Sequence, residues 1–255
     1  MNVLEVKNVR KVYGSRLGGS VCNALNGFDL EVNEGEFVGI MGPSGAGKTT
    51  LLNIISTIDE PTSGSIIISG NNLKNLKEPK LSIFRRNMLG FIFQEFNLLD
   101  TLTIKENIVL PLALSGIKLD EIENRIKHIS EVLGINEILN KYPYEVSGGQ
   151  KQKCAAARAV INNPRLILAD EPVGSLDSKS SKDLLECLAR LNEINKSTIL
   201  MVTHDAFAAS YCKRIVFIKD GMLFSEIARA DGRKEFFSQI IDVLSAMEGD
   251  GNELL

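Results

Sequence analysis

The sequence predicts an α/β fold, and three observations carry the prediction. Residues 36–41, 89–94, 165–170 and 198–203 are short apolar runs of the kind that form buried strands. Segments with apolar residues at helical spacing lie between them, such as Leu184, Leu188 and Leu191. A glycine-rich stretch, Gly42-Pro43-Ser44-Gly45-Ala46-Gly47-Lys48-Thr49, joins the first of these runs to a segment that reads as a helix from Thr50 onward.

That stretch has the spacing of a phosphate-binding P-loop, Gly, four residues, Gly-Lys-Thr, in its required strand–loop–helix context. Glycines tolerate positive φ, so the loop can turn its N–H groups inward. Those groups and the start of the next helix form an anion site, and Thr50 lies in that first turn. Lys48 would reach the β- and γ-phosphates, and the Thr49 hydroxyl would ligate Mg²⁺.

In chain order, residues 3–13 alternate apolar and polar and read as a half-buried strand. Residues 15–23, with Gly18-Gly19, read as a loop, and 24–32 as a second strand ended by the turn Asn33-Glu34-Gly35. These two precede the P-loop strand as an antiparallel sheet would. After the P-loop helix, Pro61-Thr62-Ser63-Gly64 breaks the chain, 65–70 is a short strand, and 81–87 reads as a helical turn carrying Arg85 and Arg86. The run 89–94 follows, and the texture then turns helical for about sixty residues. Thr103 and Glu106 make a capping box. Leu119, Ile122, Ile126, Ile129 and Leu133 fall on one face of a helix. Strand 165–170, a helix over 179–191 and strand 198–203 follow. Residues 214–218 and 222–227, joined by Asp220-Gly221, read as a hairpin. Phe236, Phe237, Ile240, Ile241 and Leu244 stripe a last helix expected to pack on its own domain. The expected organisation is a domain over 1–228, a helical insertion over about 95–160, and a helical tail over 229–255.

A second constellation lies at strand ends. Asp170 closes an apolar strand and would hold Mg²⁺, directly or through water. Glu171, next in the chain, could accept a proton from a water attacking the γ-phosphate. Alone, two carboxylates at a strand end are ordinary surface charges; beside a P-loop they gain this meaning. Val146-Ser147-Gly148-Gly149-Gln150 opens another helix, with Ser147 as N-cap, and offers a second anion site. One nucleotide has no use for two such sites on one chain. A head-to-tail dimer, each γ-phosphate between one P-loop and the partner's Ser147-Gly148-Gly149, resolves this. His204 and Gln94, also at strand ends, point to the same crevice. Ser175-Leu176-Asp177 reads equally as a helix cap.

Bulk properties bound the rest. The 255 residues suffice for a sizeable core, with 44% hydrophobic and 24% charged residues, as in a globular protein. A net charge of −3 gives no basic field and argues against nucleic acid. Cys22, Cys154, Cys187 and Cys212 form no Cys-x-x-Cys pair, which fits reduced thiols. The start lacks the pattern of a signal peptide, and no apolar run is long enough to cross a bilayer, so a membrane role would come through a partner.

These pieces, in this order from about Leu4 to Ile227, resemble the nucleotide-binding subunit of an ABC transporter. The resemblance implies a P-loop NTPase with a RecA-like core, an antiparallel β-subdomain and an inserted helical subdomain. Val146-Ser147-Gly148-Gly149-Gln150 is similar to the family signature Leu-Ser-Gly-Gly-Gln. The resemblance further implies that Tyr13 stacks on adenine. Gln94 would touch Mg²⁺ and the attacking water and sense the membrane partner. Ser175-Leu176-Asp177 would cross the dimer interface, and His204 would contact the γ-phosphate. It implies ATP and Mg²⁺ as cofactors, a homodimer through the ATP sites, a transmembrane permease as partner, and a place on the cytoplasmic face of a bacterial membrane.

Within the family the chain is similar to the group handling macrolide export, lipoprotein release and antimicrobial-peptide resistance. Residues 91–103, the Thr203-His204-Asp205 stretch with Ala208-Ala209-Ser210-Tyr211-Cys212, and the Phe236-Phe237 tail look closest to the bacitracin-type branch. That branch pairs the ATPase with one large permease and often with a sensor kinase. Lipoprotein release and macrolide export are the alternatives within the group. A soluble ABC ATPase acting on DNA or ribosomes is the alternative outside it, set aside for want of a second cassette or a basic stripe. Val173, Ser175 and Lys153 depart from the residues usual in the family.

Overall fold

The computed structural model describes residues 1–14 and 21–249. Among them the strands form two sheets. The smaller joins β1 (Asn2–Tyr13), β2 (Cys22–Asn33), β4 (Ser63–Ile68) and β5 (Asn71–Asn72), antiparallel throughout, in the order β2-β1-β4-β5. The larger joins β3 (Phe37–Met41), β6 (Leu89–Ile92), β7 (Leu166–Asp170), β8 (Ile199–Val202), β9 (Arg214–Lys219) and β10 (Met222–Ala228), in the order β10-β9-β3-β8-β7-β6. Its β9-β3-β8-β7-β6 portion is parallel, and β10 returns antiparallel on β9. The helices are α1 (Lys48–Ile55), α2 (Lys80–Met88), α3 (Ile104–Leu114), α4 (Leu119–Leu133), α5 (Gly148–Val160), α6 (Ser178–Asn195), α7 (Ala206–Ala209) and α8 (Arg233–Gly249).

The unbroken apolar runs are explained by burial on both faces. Phe37, Met41, Ile167, Ala169, Ile199, Met201, Ile215 and Phe217 join one core with the helices. Their neighbours Val38, Ile40, Leu166, Leu168, Leu200, Val202, Val216 and Ile218 join a second core with α1 and the antiparallel sheet. Alternate residues thus serve opposite faces, as a strand's period of two requires. Strand order also brings the carboxyl ends of β3, β7 and β8 side by side, where ligands bind in open α/β sheets.

Several expectations shift at their edges. The loop expected over 15–23 is shorter on its far side: Cys22 and Asn23 already pair with Tyr13 and Val12 in β2. Residues 15–20 lie outside the described residues. The strand expected over 65–70 runs from Ser63 to Ile68 and turns at Ser69-Gly70. The turn expected over 81–87 is a full helix, α2, and β6 stops at Ile92, so Gln94 sits beyond the strand. Leu119 is not on the buried face of α4. It is 78% exposed at the first helical position, whereas Ile122, Ile126, Ile129 and Leu133 are buried. A helix end has no neighbouring turn to cover it, so periodicity overreaches there. The Thr103–Glu106 capping box forms as expected, with both reciprocal bonds present. The last helix packs back on its domain: Phe236 and Ile240 are buried in the larger core.

Candidate active site

The glycine loop is shaped by close backbone approaches. Gly47 caps α1 with φ +102°, and a Cβ there would lie 2.4 Å from the Ala24 carbonyl oxygen. Only glycine satisfies both conditions. The loop is braced from the β9–β10 turn, where Gly221 N donates to Ala46 O at 3.1 Å. Lys48 Nζ donates to the carbonyls of Gly42 and Pro43 at 2.8 Å each, so its ammonium lies across the mouth of the loop. Burial pulls the Lys48 pKa below its ordinary value, opposed by Glu171 and Asp170. A cation held this way gains from an anion of higher charge.

The loop opens into a cleft of about 900 Å³ lined by Gly42, Pro43, Ser44, Gly45, Gly47, Lys48, Thr49 and Thr50. Tyr13, Cys22, Ala24, Glu171, His204, Leu244 and Met247 complete the wall. Ala46 is buried beneath the loop instead. Tyr13 is 41% exposed, its hydroxyl donates to Asp59 Oδ2 at 2.6 Å, and Lys11 Nζ stands 4.8 Å from its ring centroid. The ring is therefore held at its edge and on one face.

Glu171 and His204 form one unit. Glu171 Oε2 accepts from Thr203 Oγ1 at 3.1 Å; Oε1 accepts from His204 N at 3.0 Å and lies 2.8 Å from His204 Nδ1. An ionised carboxylate only accepts, so Nδ1 carries the proton and Nε2 is left for another partner. A carboxylate has about four lone-pair sites, so three donors leave one for a further donor such as water. Glu171 has φ +44°, a left-handed conformation that costs a non-glycine residue about 1 kcal/mol or more. Its N–H is tied to Val202 O at 2.9 Å, which holds the carboxylate at the end of β7.

Asp170, at the end of β7, is half-buried and does not itself line the cleft. Burial, then Glu171, push its carboxyl above the ordinary 3.8, against the pull of Lys48. The folded chain therefore holds that proton more tightly than the unfolded chain. Stability falls as pH rises through the interval between 3.8 and the raised folded value. Asp170→Asn cannot ionise, so it should raise the Tm of the free chain at pH 7, with the gain shrinking as pH approaches 4. A lower Tm at pH 7 contradicts this.

Not every expected residue comes to the cleft. Gln94 does not line it; its side chain lies against Gly174, where a Cβ would meet Nε2 at 3.0 Å. Its carbonyl accepts from Ser175 Oγ at 3.0 Å, a bond that alanine at 175 could not make. Ser147 and Gly148 are exposed, Gly149 and Gln150 half-buried, and none of them lines this chain's own cleft. Ser147 caps α5: Oγ accepts from Gln150 N at 3.3 Å, and Gln150 Oε1 accepts from Ser147 N at 3.0 Å. The Gln150 amide oxygen is thus already engaged. Asp177 caps α6 through Lys179 N and Ser180 N, both at 3.0 Å. A Cβ at Gly149 would meet Ser180 Oγ at 2.7 Å, so α5 starts hard against α6.

Sequence reasoning missed Cys22, Ala24, Leu244 and Met247 on the wall and Thr203 behind Glu171. Leu244 and Met247 extend the stripe begun by Phe236 and Ile240, which is the signal that the last turn also faces inward.

The geometry agrees with the comparisons. A family model described as ABC transporter matches residues 25–174. The ABC transporter ATP-binding protein YvcR of Bacillus subtilis (strain 168) is 58% identical over 253 residues, covering 99% of this chain and 98% of that protein. The bacitracin export ATP-binding protein BceA of Halalkalibacterium halodurans is 51% identical over 254 residues, covering 99% and 100%. A solved dimer of the ATP-binding cassette MJ0796 of Methanocaldococcus jannaschii, in a post-hydrolysis state bound to ADP and Pi, superposes with a TM-score of 0.80. It is 39% identical and covers 89% of this chain and 100% of that one.

Proposed function

This chain belongs to the ABC transporter family and is its ATP-hydrolysing, nucleotide-binding subunit, and from that premise we propose that two copies close on two Mg-ATP to drive a separate membrane permease that handles antimicrobial peptides. One observation carries the dimer: a glycine cleft and a capped, accessible helix start on the same chain, with the second out of the first. The solved MJ0796 cassette is itself a dimer.

In each composite site, the loop N–H groups and Lys48 hold the β- and γ-phosphates, with Thr50 in the same turn. Tyr13 offers its uncovered face to adenine. Ser147, Gly148 and Gly149 of one copy meet the γ-phosphate of the other, and Gln150 keeps Ser147 in its capping geometry. Thr49, Asp170 and Gln94 supply hard oxygen donors, which suit Mg²⁺ held partly by phosphates. Mg²⁺ would neutralise charge between the β- and γ-phosphates. Among the described residues no cluster of three His, Cys, Asp or Glu exists that would hold a metal without a phosphate. The Gln94 side chain lies against Gly174 outside the cleft and would have to turn toward it to take part. Glu171 orients the attacking water and accepts its proton. His204 Nε2, if it donates to a phosphate while Nδ1 donates to Glu171, does so as the imidazolium.

No helix among the described residues is long and apolar enough to cross a membrane. A groove of about 540 Å³ between α2, β6 and α3 presents Phe91, Phe93, Leu110, Pro111 and Leu114, with Leu114 67% exposed. Beside it, the buried Asn107 amide bonds Leu99 O, Leu102 O and Thr103 O at 3.0 Å each, which fixes the loop leading into α3. This is the face offered to the permease, at the cytoplasmic surface, with a sensor kinase reached through the permease. Leu114→Asp should weaken capture of the permease by about 30-fold, the effect of a central apolar contact, and leave nucleotide affinity unchanged. Unaltered capture would move the docking face elsewhere.

The peptide branch draws support from the end-to-end match to a protein named for bacitracin export. Affinity purification from native membranes, followed by ATPase assays with and without bacitracin and other candidate peptides, tests it. A large permease and peptide-stimulated turnover are expected; ribosomes or nucleic acid in its place would refute it.

A further inference from the structure

Gln152 is a polar side chain with no exposure, in the second turn of α5. Its Nε2 donates to Phe93 O at 2.9 Å and to Pro172 O at 2.7 Å. The first carbonyl immediately precedes Gln94, and the second immediately follows Glu171. Two carbonyl acceptors fix the amide's orientation, because only the NH₂ end can satisfy them. Oε1 is left buried with no donor among the described residues. The amide is therefore set by the two backbone segments, at the expense of its own oxygen.

The same helix holds the Gln94 loop a second time. Arg158, nearly two turns along α5, donates to Asn97 O at 2.6 Å and Phe96 O at 2.9 Å. Phe96 and Asn97 are consecutive left-handed residues, with φ +58° and +49°. That conformation is uncommon outside glycine, so the loop depends on these anchors. The loop is thus fastened to α5 at three carbonyls, while Pro172 is the point where α5 grips the Glu171 segment.

We propose that Gln152 is a positioning residue: through one buried amide it sets the separation between the segment that carries Gln94 and the segment that carries Glu171. A displacement of the 93–97 loop, which borders the groove facing the permease, is passed by this amide to the carboxylate at the attacking water. The inference rests on the reading of Glu171 as the water-activating group. The helix involved begins at Ser147, so the same contact ties the opposite composite site to the loop.

The test compares Gln152→Met, Gln152→Glu, Glu171→Gln and Cys154→Ala with the parent in the full chain. Cys154 is a buried neighbour on α5 outside the site. Nucleotide stoichiometry counts active sites, so turnover is expressed per site and misfolded protein drops out. Gln152→Met has similar length and no donors. It should keep nucleotide Kd within twofold and lower kcat per site at least tenfold. Gln152→Glu should be equally slow at pH 8 and regain part of its turnover relative to the parent toward pH 6, because a protonated acid can donate one of the two bonds. Cys154→Ala should lower Tm and leave kcat per site unchanged. If Glu171→Gln is inactive and Gln152→Met turns over within twofold of the parent, the positioning role is overturned and the function stands. If Glu171→Gln turns over normally, the reading of Glu171 fails and the inference fails with it.

Discussion

Glu171→Gln is expected to bind ATP as tightly as the parent and to turn it over at least about 100-fold more slowly. The carboxylate sits at the wall of the cleft with both oxygens anchored, one by Thr203 and one by His204. An amide of the same shape keeps the cleft and the γ-phosphate contacts but loses an oxygen acceptor and the basicity that takes a proton from water. Because the clasped state is then not relieved by hydrolysis, the variant should accumulate as an ATP-bound dimer. Shifting a dimer from mostly open to mostly closed takes about 5.5 kcal/mol of differential binding, which two phosphate groups at the interface can supply. Rapid hydrolysis by this variant would remove Glu171 from the chemistry.

The second large effect concerns Lys48. Its ammonium bridges two loop carbonyls and is partly desolvated, so it meets a phosphate already oriented and with part of its hydration already lost. Charge-assisted bonds of this type contribute about 1.5–3 kcal/mol each. Lys48→Ala should therefore weaken ATP binding by about 10- to 100-fold, measured with a fluorescent analogue. The effect should grow in order AMP, ADP, ATP, since the lost contacts lie on the outer phosphates. Equal loss for all three would mean that the loop is misfolded, and no loss would contradict the cradle.

Much of the fold was legible because burial on both sheet faces leaves uninterrupted apolar runs, as in 36–41 and 198–203. The P-loop was legible because glycine and lysine at those spacings have few other uses, and Gly47 meets Ala24 in the way a Cβ forbids. Edges were less legible: Cys22 and Asn23 look like loop and pair as strand, since register depends on the partner chain segment. Leu119 follows the helical period yet has no neighbour to bury it. In the site, single strand-end residues such as Glu171 could be placed, because strands project their ends to one crevice. Gln152 could not, because its meaning depends on two carbonyls that are distant in sequence and adjacent only in space. Likewise, the period of the last helix turns Leu244 and Met247 inward with Phe236 and Ile240, but it does not reveal that the nucleotide cleft is what they border.

Cross-linking between copies tests the composite pocket most directly. The chain carries Glu171→Gln and Cys22→Ser, which removes the exposed cysteine and leaves Cys154, Cys187 and Cys212 buried. Ser44→Cys is placed in one population and Ser147→Cys in another, and the mixture is treated with a short bis-maleimide, which alkylates one thiol at each end. ATP should produce a covalent heterodimer that neither population forms alone and that disappears when ATP is withheld. A yield independent of ATP, or none with ATP saturating, would show that the glycine cleft and the Ser147 helix start do not close on one nucleotide.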